Sequence, residues 1–315
     1  MNLSLPAASA NAGETDRLLL ALLLISLAVL ALVLILLLRY IVKYRATNPV
    51  DRGEGAKKTW VFETSWTAAT LLVFFGLFVW GADLYVRLSS PPADALKIYV
   101  IAKQWMWKSQ HIGGQREINS IHVPVGRPIE LVMTSEDVIH DFSVPAFRIK
   151  HDVLPGRYET LWFTVTVAGV YPLYCTQFCG LDHSKMVGEV VALAAPRFQQ
   201  WLAGHASSDS LATAGRKMFL RYGCSGCHRS GSAEGRPGAV SAPSLEGLYG
   251  SSVPLADGSF AKADERYLHD SIVLPGQQLV AGYAPIMPSY AGQIDEEDLM
   301  ALIGYIESLT QGGAE

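Results

Sequence analysis

The chain has 315 residues, half of them apolar, and a net charge of only −4. That length has room for two or three domains, and the charge balance excludes the basic footprint of a nucleic-acid binder. The charge is uneven: residues 1–87 hold 8 basic and 6 acidic side chains (+2), residues 88–207 hold 10 of each, and residues 208–315 hold 7 and 13 (−6). An acidic final third suits a basic protein partner through opposite fields, and equally suits a surface that only confers solubility.

Leu18–Leu38 is apolar throughout except for Ser26. As a helix this run rises roughly 30 Å, the depth of a bilayer core. A cleaved signal peptide would have an apolar region of about 7–15 residues and a small-residue cleavage site. Here Arg39, Tyr40 and Lys43 follow instead, which predicts a retained helix. A second span is predicted over about 63–86, mostly apolar from Trp66 to Val86 apart from Thr67, Thr70 and Asp83, with Trp60, Trp66, Trp80 and Tyr85 toward its ends, where amphipathic rings settle. The loop between the spans carries Arg39, Lys43, Arg45, Arg52, Lys57 and Lys58, against Arg17 alone in the N-terminal tail. The positive-inside rule puts that loop in the cytoplasm and both termini outside. Glu63, at the cytoplasmic edge of the second span, is either a snorkelling interfacial carboxylate or a functional group at membrane depth.

From Leu96 to Leu193 short β-rich runs alternate with turn signals. Examples are Lys97–Ala102, Ile129–Thr134, Thr160–Val167 and Val187–Leu193, a pattern that predicts a sandwich or barrel of about 100 residues. Before the last run the chain reads Cys175-Thr-Gln-Phe-Cys179-Gly-Leu-Asp-His183-Ser-Lys-Met186. One thiolate with two imidazoles and a weak thioether makes a mononuclear copper site on such a fold. A second thiolate lets two sulfurs bridge two copper ions, with His140 as the best candidate for the second imidazole. The rival is structural zinc on Cys-x3-Cys-x3-His, but zinc has no use for the methionine, and structural zinc motifs usually show Cys-x2-Cys spacing.

Further along, Cys224-Ser-Gly-Cys227-His228 is the attachment signature for c-type haem. Met287, in Ala284-Pro-Ile-Met-Pro-Ser-Tyr290, is the candidate for the opposite iron ligand, because Met with His raises a haem's potential. A closing helix is expected over Asp295–Thr310, with Met300 on its apolar face and Asp295-Glu-Glu-Asp298 complementing the helix dipole rather than forming a docking patch. Met218, His111, His122, His151, His205 and His269 lack a motif and read as surface or packing residues.

The copper-type loop, Ser135-Glu-Asp-Val-Ile-His140, Pro155-Gly156-Arg157, Lys103-Gln-Trp-Met-Trp-Lys108 and Glu63-Thr-Ser-Trp-Thr67 together resemble subunit II of haem–copper cytochrome c oxidases, over about residues 15–200. The segment after residue 210 resembles small class I cytochromes c, and the whole resembles caa-type oxidases, whose subunit II carries a fused cytochrome c. The resemblance implies a two-helix hairpin (domain 1–90), an all-β cupredoxin-like sandwich (91–200) and an all-α cytochrome c domain (201–315).

It also implies cofactors and roles. Cys175 and Cys179 would bridge a binuclear CuA centre of two copper ions. His140 and His183 would bind one copper each, with Met186 and the Gln177 carbonyl as weak axial ligands. Cys224 and Cys227 would hold one haem c, with His228 and Met287 on its iron. Trp105 matches an exposed aromatic at the electron entry point, and Glu63 a carboxylate at the mouth of a proton path. Many members have Glu where this chain has Gln177, and that carboxylate also binds magnesium, so the magnesium role is put in question. The implied partners are catalytic subunit I, other oxidase subunits, and a cytochrome c or quinol–cytochrome c reductase as donor, at a bacterial inner membrane. The implied function is oxidation of a cytochrome c-type donor by oxygen with proton translocation, the oxygen-reducing site lying in a partner subunit. A copper–haem electron-transfer subunit of a different terminal reductase is the alternative.

Overall fold

In the computed structural model, residues 6–50, 59–205, 209–228 and 242–311 are described. Two compact units are distinguished: Asn11–Ser90, and Met1–Ala10 with Pro91–Glu315. The first is a helical pair, α1 (Ala12–Lys43) and α2 (Trp60–Leu88). Leucines cover α1 on every side and are exposed, the pattern of a helix meant for lipid rather than for a protein core. Both helices exceed the expected 18–38 and 63–86 spans. The hydrogen-bond ladder continues through helix-competent polar residues at the ends, whereas an apolar run marks only the depth of hydrocarbon. Arg87, near the end of α2, is bonded to Glu14, at the start of α1, at 2.6 Å, and to Asp83 at 2.8 Å. The ends of the pair are thereby tied as an antiparallel hairpin.

The second unit begins with β1 (Leu96–Lys103), β2 (Met106–His111), β3 (Arg116–Ile118), β4 (Ser120–Pro124), β5 (Pro128–Ser135), β6 (His140–Val144), β7 (Ile149–Val153), β8 (Glu159–Thr164), β9 (Gly169–Cys175) and β10 (Val187–Leu193). They form two five-stranded sheets, β3-β2-β1-β5-β8 and β4-β10-β9-β6-β7. The pairs β1/β5 and β10/β4 are parallel and the other pairs antiparallel. The four expected strands lie in β1, β5, β8 and β10, although β8 stops at Thr164. Val165 beyond it instead bridges Ser9. Ala8 is buried in the sandwich core, its amide donates to Ala146 O at 2.9 Å, and its carbonyl accepts from the Thr166 amide at 2.8 Å. Residues on both flanks of the hairpin therefore fold into one body.

Most of β1 is buried on both faces. Ile98, Val100 and Ala102 point into the sandwich core, while Tyr99 and Ile101 belong to a second apolar cluster shared with Val132, Tyr158 and the C-terminal helices. A strand covered on both sides reads as a continuous apolar run, as Leu96–Ala102 nearly does.

After α3 (Ala195–Gly204) come α4 (Leu211–Arg221), the small hairpin of β11 (Ser252–Pro254) and β12 (Phe260–Lys262), α5 (Glu265–Val273) and α6 (Glu296–Gln311). Helices α4 and α6 cross where side chains vanish. A Cβ on Gly215 would lie 1.9 Å from Ala301 O, and one on Gly304 would lie 2.6 Å from Leu211 Cδ2. Phe219 and Tyr305 pack beside this crossing with ring centroids 5.3 Å apart.

Candidate metal centres

Strand β9 ends on Cys175, the following loop carries Cys179, and a 3₁₀ turn holds His183 just ahead of Met186 and β10. Pairing of β6 with β9 sets Phe142 opposite Cys175, which brings His140, at the start of β6, over the loop. The six expected ligands meet there. Cys175 Sγ lies 3.8 Å from Cys179 Sγ, 3.8 Å from His140 Nδ1 and 3.3 Å from Gln177 O. Cys179 Sγ lies 3.4 Å from His183 Nδ1 and 3.9 Å from Met186 Sδ. His140, Cys175, Cys179 and Met186 are buried, and His183 is half-buried.

Two thiols this close cannot both ionise freely. Burial pushes Cys175 up, but hydrogen bonds from His140 and the Asp141 backbone outweigh it and leave the thiol at about 7. Burial and then the charge of Cys175 push Cys179 up to about 12. A cation between the sulfurs removes that conflict, so the pair fits a soft metal bound as a dithiolate. Sulfur with imidazole and a thioether is the donor set that favours copper over harder ions.

Two supporting residues, Asp137 and Gln104, carry no role in the sequence reading. Asp137 Oδ1 lies 2.9 Å from His140 Nε2, which leaves Nδ1 to face the sulfur. Asp137 Oδ2 accepts from the Gln104 amide at 2.8 Å, and Gln104 Nε2 donates to Cys179 O at 2.7 Å. Burial raises the Asp137 carboxyl, but bonds from Gln104 and His140 hold it below its ordinary range. The close approach of Gln104 also accounts for Gly180: its φ is +118°, and a Cβ there would meet Gln104 Nε2 at 2.9 Å. Trp105 borders the same glycine but is half-buried rather than exposed, because its ring packs on the sandwich core.

In the C-terminal part, Gly223, at φ +76°, turns the chain out of α4 into the 3₁₀ turn Cys224–Gly226. Cys224, His228 and Met287 line one apolar cavity with Phe219, Leu268 and Leu302. Cys227 is exposed. His228 Nδ1 donates to Pro243 O at 2.9 Å, which directs Nε2 to a metal. An apolar cavity flanked by an oriented imidazole and a thioether, with a thiol at its edge, fits a haem. Pro243 was not singled out from the sequence, because a backbone carbonyl carries no side-chain signal. Met300 is buried in the core of α6.

The structure places Glu63 and the acidic run opening α6, and it revises the reading of the run only. Glu63 sits in the first turn of α2, exposed, with the Thr59 hydroxyl donating to it at 2.5 Å. The acidic run opening α6 does more than meet the helix dipole. Asp295 caps the Asp298 amide at 2.8 Å, as a dipole reading requires. But Glu297 bonds Lys108 at 2.7 Å, and Glu296 lies 3.5 Å from Tyr158 OH. These are docking contacts after all, and the surface they meet is the sandwich of the same chain.

A redox-protein architecture of this kind, with a sulfur-rich loop on a β-sandwich beside a Cys-x-x-Cys-His domain, points to electron-transfer subunits. Residues 115–193 match the cytochrome c oxidase subunit II periplasmic domain family, and residues 212–310 match the cytochrome c family. The chain is 27% identical over 259 residues to cytochrome c oxidase subunit 2 of Alkalihalophilus pseudofirmus, covering 78% of this chain and 72% of that one. To heme-copper oxidase subunit 2 of Aeropyrum pernix it is 38% identical over 136 residues, covering 41% of this chain and 58% of that one. The crystal structure of the periplasmic domain of subunit II (CoxB) of Bradyrhizobium japonicum overlays with a TM-score of 0.36 at 28% identity, covering 37% of this chain and 96% of that one. The chain thus carries a subunit II periplasmic domain of cytochrome c oxidase and, fused to it, a cytochrome c domain, the combination that fits the caa type.

Proposed function

We propose that this chain is subunit II of a respiratory cytochrome c oxidase, receiving electrons from a cytochrome c-type donor and delivering them to a catalytic subunit I that reduces oxygen to water and translocates protons. Its organisation is then an anchor over 1–90, a copper domain over 91–200 and a cytochrome domain over 201–315, with both redox domains outside a bacterial inner membrane. The burial of Ala8 within the sandwich supports this topology, since the chain before α1 and the chain after α2 share one body.

When bound, the dicopper centre and the haem c each supply one-electron exchange. The protein's part is placement. Cys175, Cys179, His140, His183, Met186 and the Gln177 carbonyl hold the coppers. Cys224, Cys227, His228 and Met287 hold the haem. Asp137 and Pro243 O fix the rings of His140 and His228, so neither imidazole has to turn when charge arrives. Burial of the two thiols keeps water from the copper cluster. Trp105 is the electron entry point, Glu63 opens a proton path in the partner subunit, and Gln177 offers a magnesium ion no carboxylate at that position.

One observation carries this reading: two thiols, two imidazoles and a thioether converge in one cluster. Metal analysis and EPR of the purified complex test it. About two coppers and one covalent haem iron per chain, with a mixed-valence dicopper signal, are expected. Zinc in place of copper would sink the proposal.

A further inference from the structure

The cytochrome part is seated on the sandwich by two lysines. Lys97 Nζ, nearly buried, bonds Glu265 at 2.6 Å, Glu307 at 2.9 Å and Tyr249 OH at 2.9 Å. Lys108 Nζ bonds Glu297 at 2.7 Å and Glu136 at 2.9 Å. Glu297 and Glu307 are about 15 Å apart along an ideal helix. Lys97 and Ile101, the register partner of Lys108, are about 13 Å apart along a strand. The spacings agree, so α6 lies along β1 with its N-terminal turn at the copper end of the sheet.

What meets at that end differs from what meets at the other. Glu136 adjoins Asp137, whose carboxylate holds the ring of His140. On the far side of Lys108, Glu297 adjoins Asp298, which accepts from Tyr222 OH at 2.9 Å. The carbonyl of Tyr222 accepts from Tyr290 OH at 3.0 Å. Tyr222 stands two residues before Cys224, and Tyr290 three after Met287. Lys108 therefore lies in a run of covalent and hydrogen bonds that joins the haem-attachment segment to a copper ligand across the two domains, beside a longer Arg116–Glu297 pair at 3.6 Å.

We propose that Lys108 is a positioning residue for electron transfer between the two redox sites. It clamps the first turn of α6 to the Glu136–Asp137 turn and so fixes the separation and the bonded path between haem and copper. The inference rests on the functional reading above. In the step concerned, one electron leaves ferrous haem c, which becomes ferric, and the oxidised dicopper pair is reduced by one. No bond breaks and no proton moves. An isolated exposed ion pair contributes little to stability. Here the ammonium is three-quarters covered and shared by carboxylates of two domains, so its loss loosens the geometry without unfolding either part.

The test uses the intact oxidase carrying Lys108→Gln, Lys108→Arg or Glu297→Gln. Haem c is photoreduced by a flash, and electron arrival at the dicopper centre is followed optically. Hydrogen exchange is recorded at residues 135–140 and 295–299. Lys108→Gln and Glu297→Gln are expected to slow the transfer about tenfold, the scale of loss from a small misplacement of reacting centres. The dicopper EPR and haem spectra should stay unchanged while exchange rises at both turns, and Lys108→Arg should restore rate and protection. Wild-type transfer in both Gln variants overturns the inference, as does slowing with no change in exchange. If the wild-type protein lacks the dicopper or haem c spectrum, the functional reading fails instead, and the two failures are told apart.

Discussion

The two redox sites are built on opposite plans. At the proposed haem site, Cys224 and Cys227, which would bind the group covalently, and the adjacent His228 come from five consecutive residues, and the fold adds a cavity and a distant thioether. At the proposed copper site a loop supplies five candidate donors, but the sixth, His140, opens β6, and the groups that orient the set, Asp137 and Gln104, stand in the β5–β6 and β1–β2 turns. A site written in one segment survives loosening of the domain around it. A site assembled from several strands depends on the sheet that brings them together.

That contrast can be broken most sharply by removing ligands. Cys179→Ser is expected to abolish the dicopper EPR signal entirely while the haem c spectrum stays, whereas replacing Cys224 and Cys227 together with Ala should remove covalent haem on a denaturing gel and leave the copper signal. Loss of both signals in either variant would show that the sites do not form independently. Next in size, Asp137→Asn should weaken copper retention about 10- to 100-fold, the usual effect of losing an outer partner of a ligand, measured by competition with a chelator. An unchanged affinity would remove Asp137 from the account.

Smaller effects are expected in the cytochrome part. Gly215→Ala should destabilise it by about 2–3 kcal/mol, because the added methyl meets the Ala301 carbonyl rather than a movable side chain. Denaturant unfolding followed at the haem band checks this. The gentlest probe is pH. Burial raises the Glu265 carboxyl, but the charge of Lys97 outweighs it and leaves the group below its ordinary range. A carboxyl depressed on folding adds stability above its unfolded pKa, about 4.3, that is lost as the pH falls toward the folded value. Hydrogen exchange across β1 and α6 should therefore rise below that pH, and Glu265→Gln should flatten the dependence.

Patterned segments could be read directly. The hairpin followed from two apolar runs of membrane depth, and four strands from β-branched runs between turn signals. The strands that escaped are instructive. In β2, Ser109, Gln110 and His111 are buried although polar, so no alternation marks them. Ser109 donates to Ser120 O at 2.9 Å, and His111 packs against Phe198 and Trp201. Their burial depends on neighbours brought in by the fold. The acidic opening of α6 was legible as helix chemistry, but its partner lysine lies almost two hundred residues upstream, and no local pattern announces such a pairing.

The sequence alone determined the span-forming helices, the sandwich, the loop of soft donors and the haem-attachment motif, because each is a local pattern of polarity or of chemically distinctive side chains. Only tertiary structure decided which groups orient the ligands, how closely α4 and α6 can cross, and that the second face of β1 is covered by the cytochrome part. Those outcomes rest on distances between residues far apart in the chain. Such distances come from packing and strand pairing, which a one-dimensional pattern does not encode.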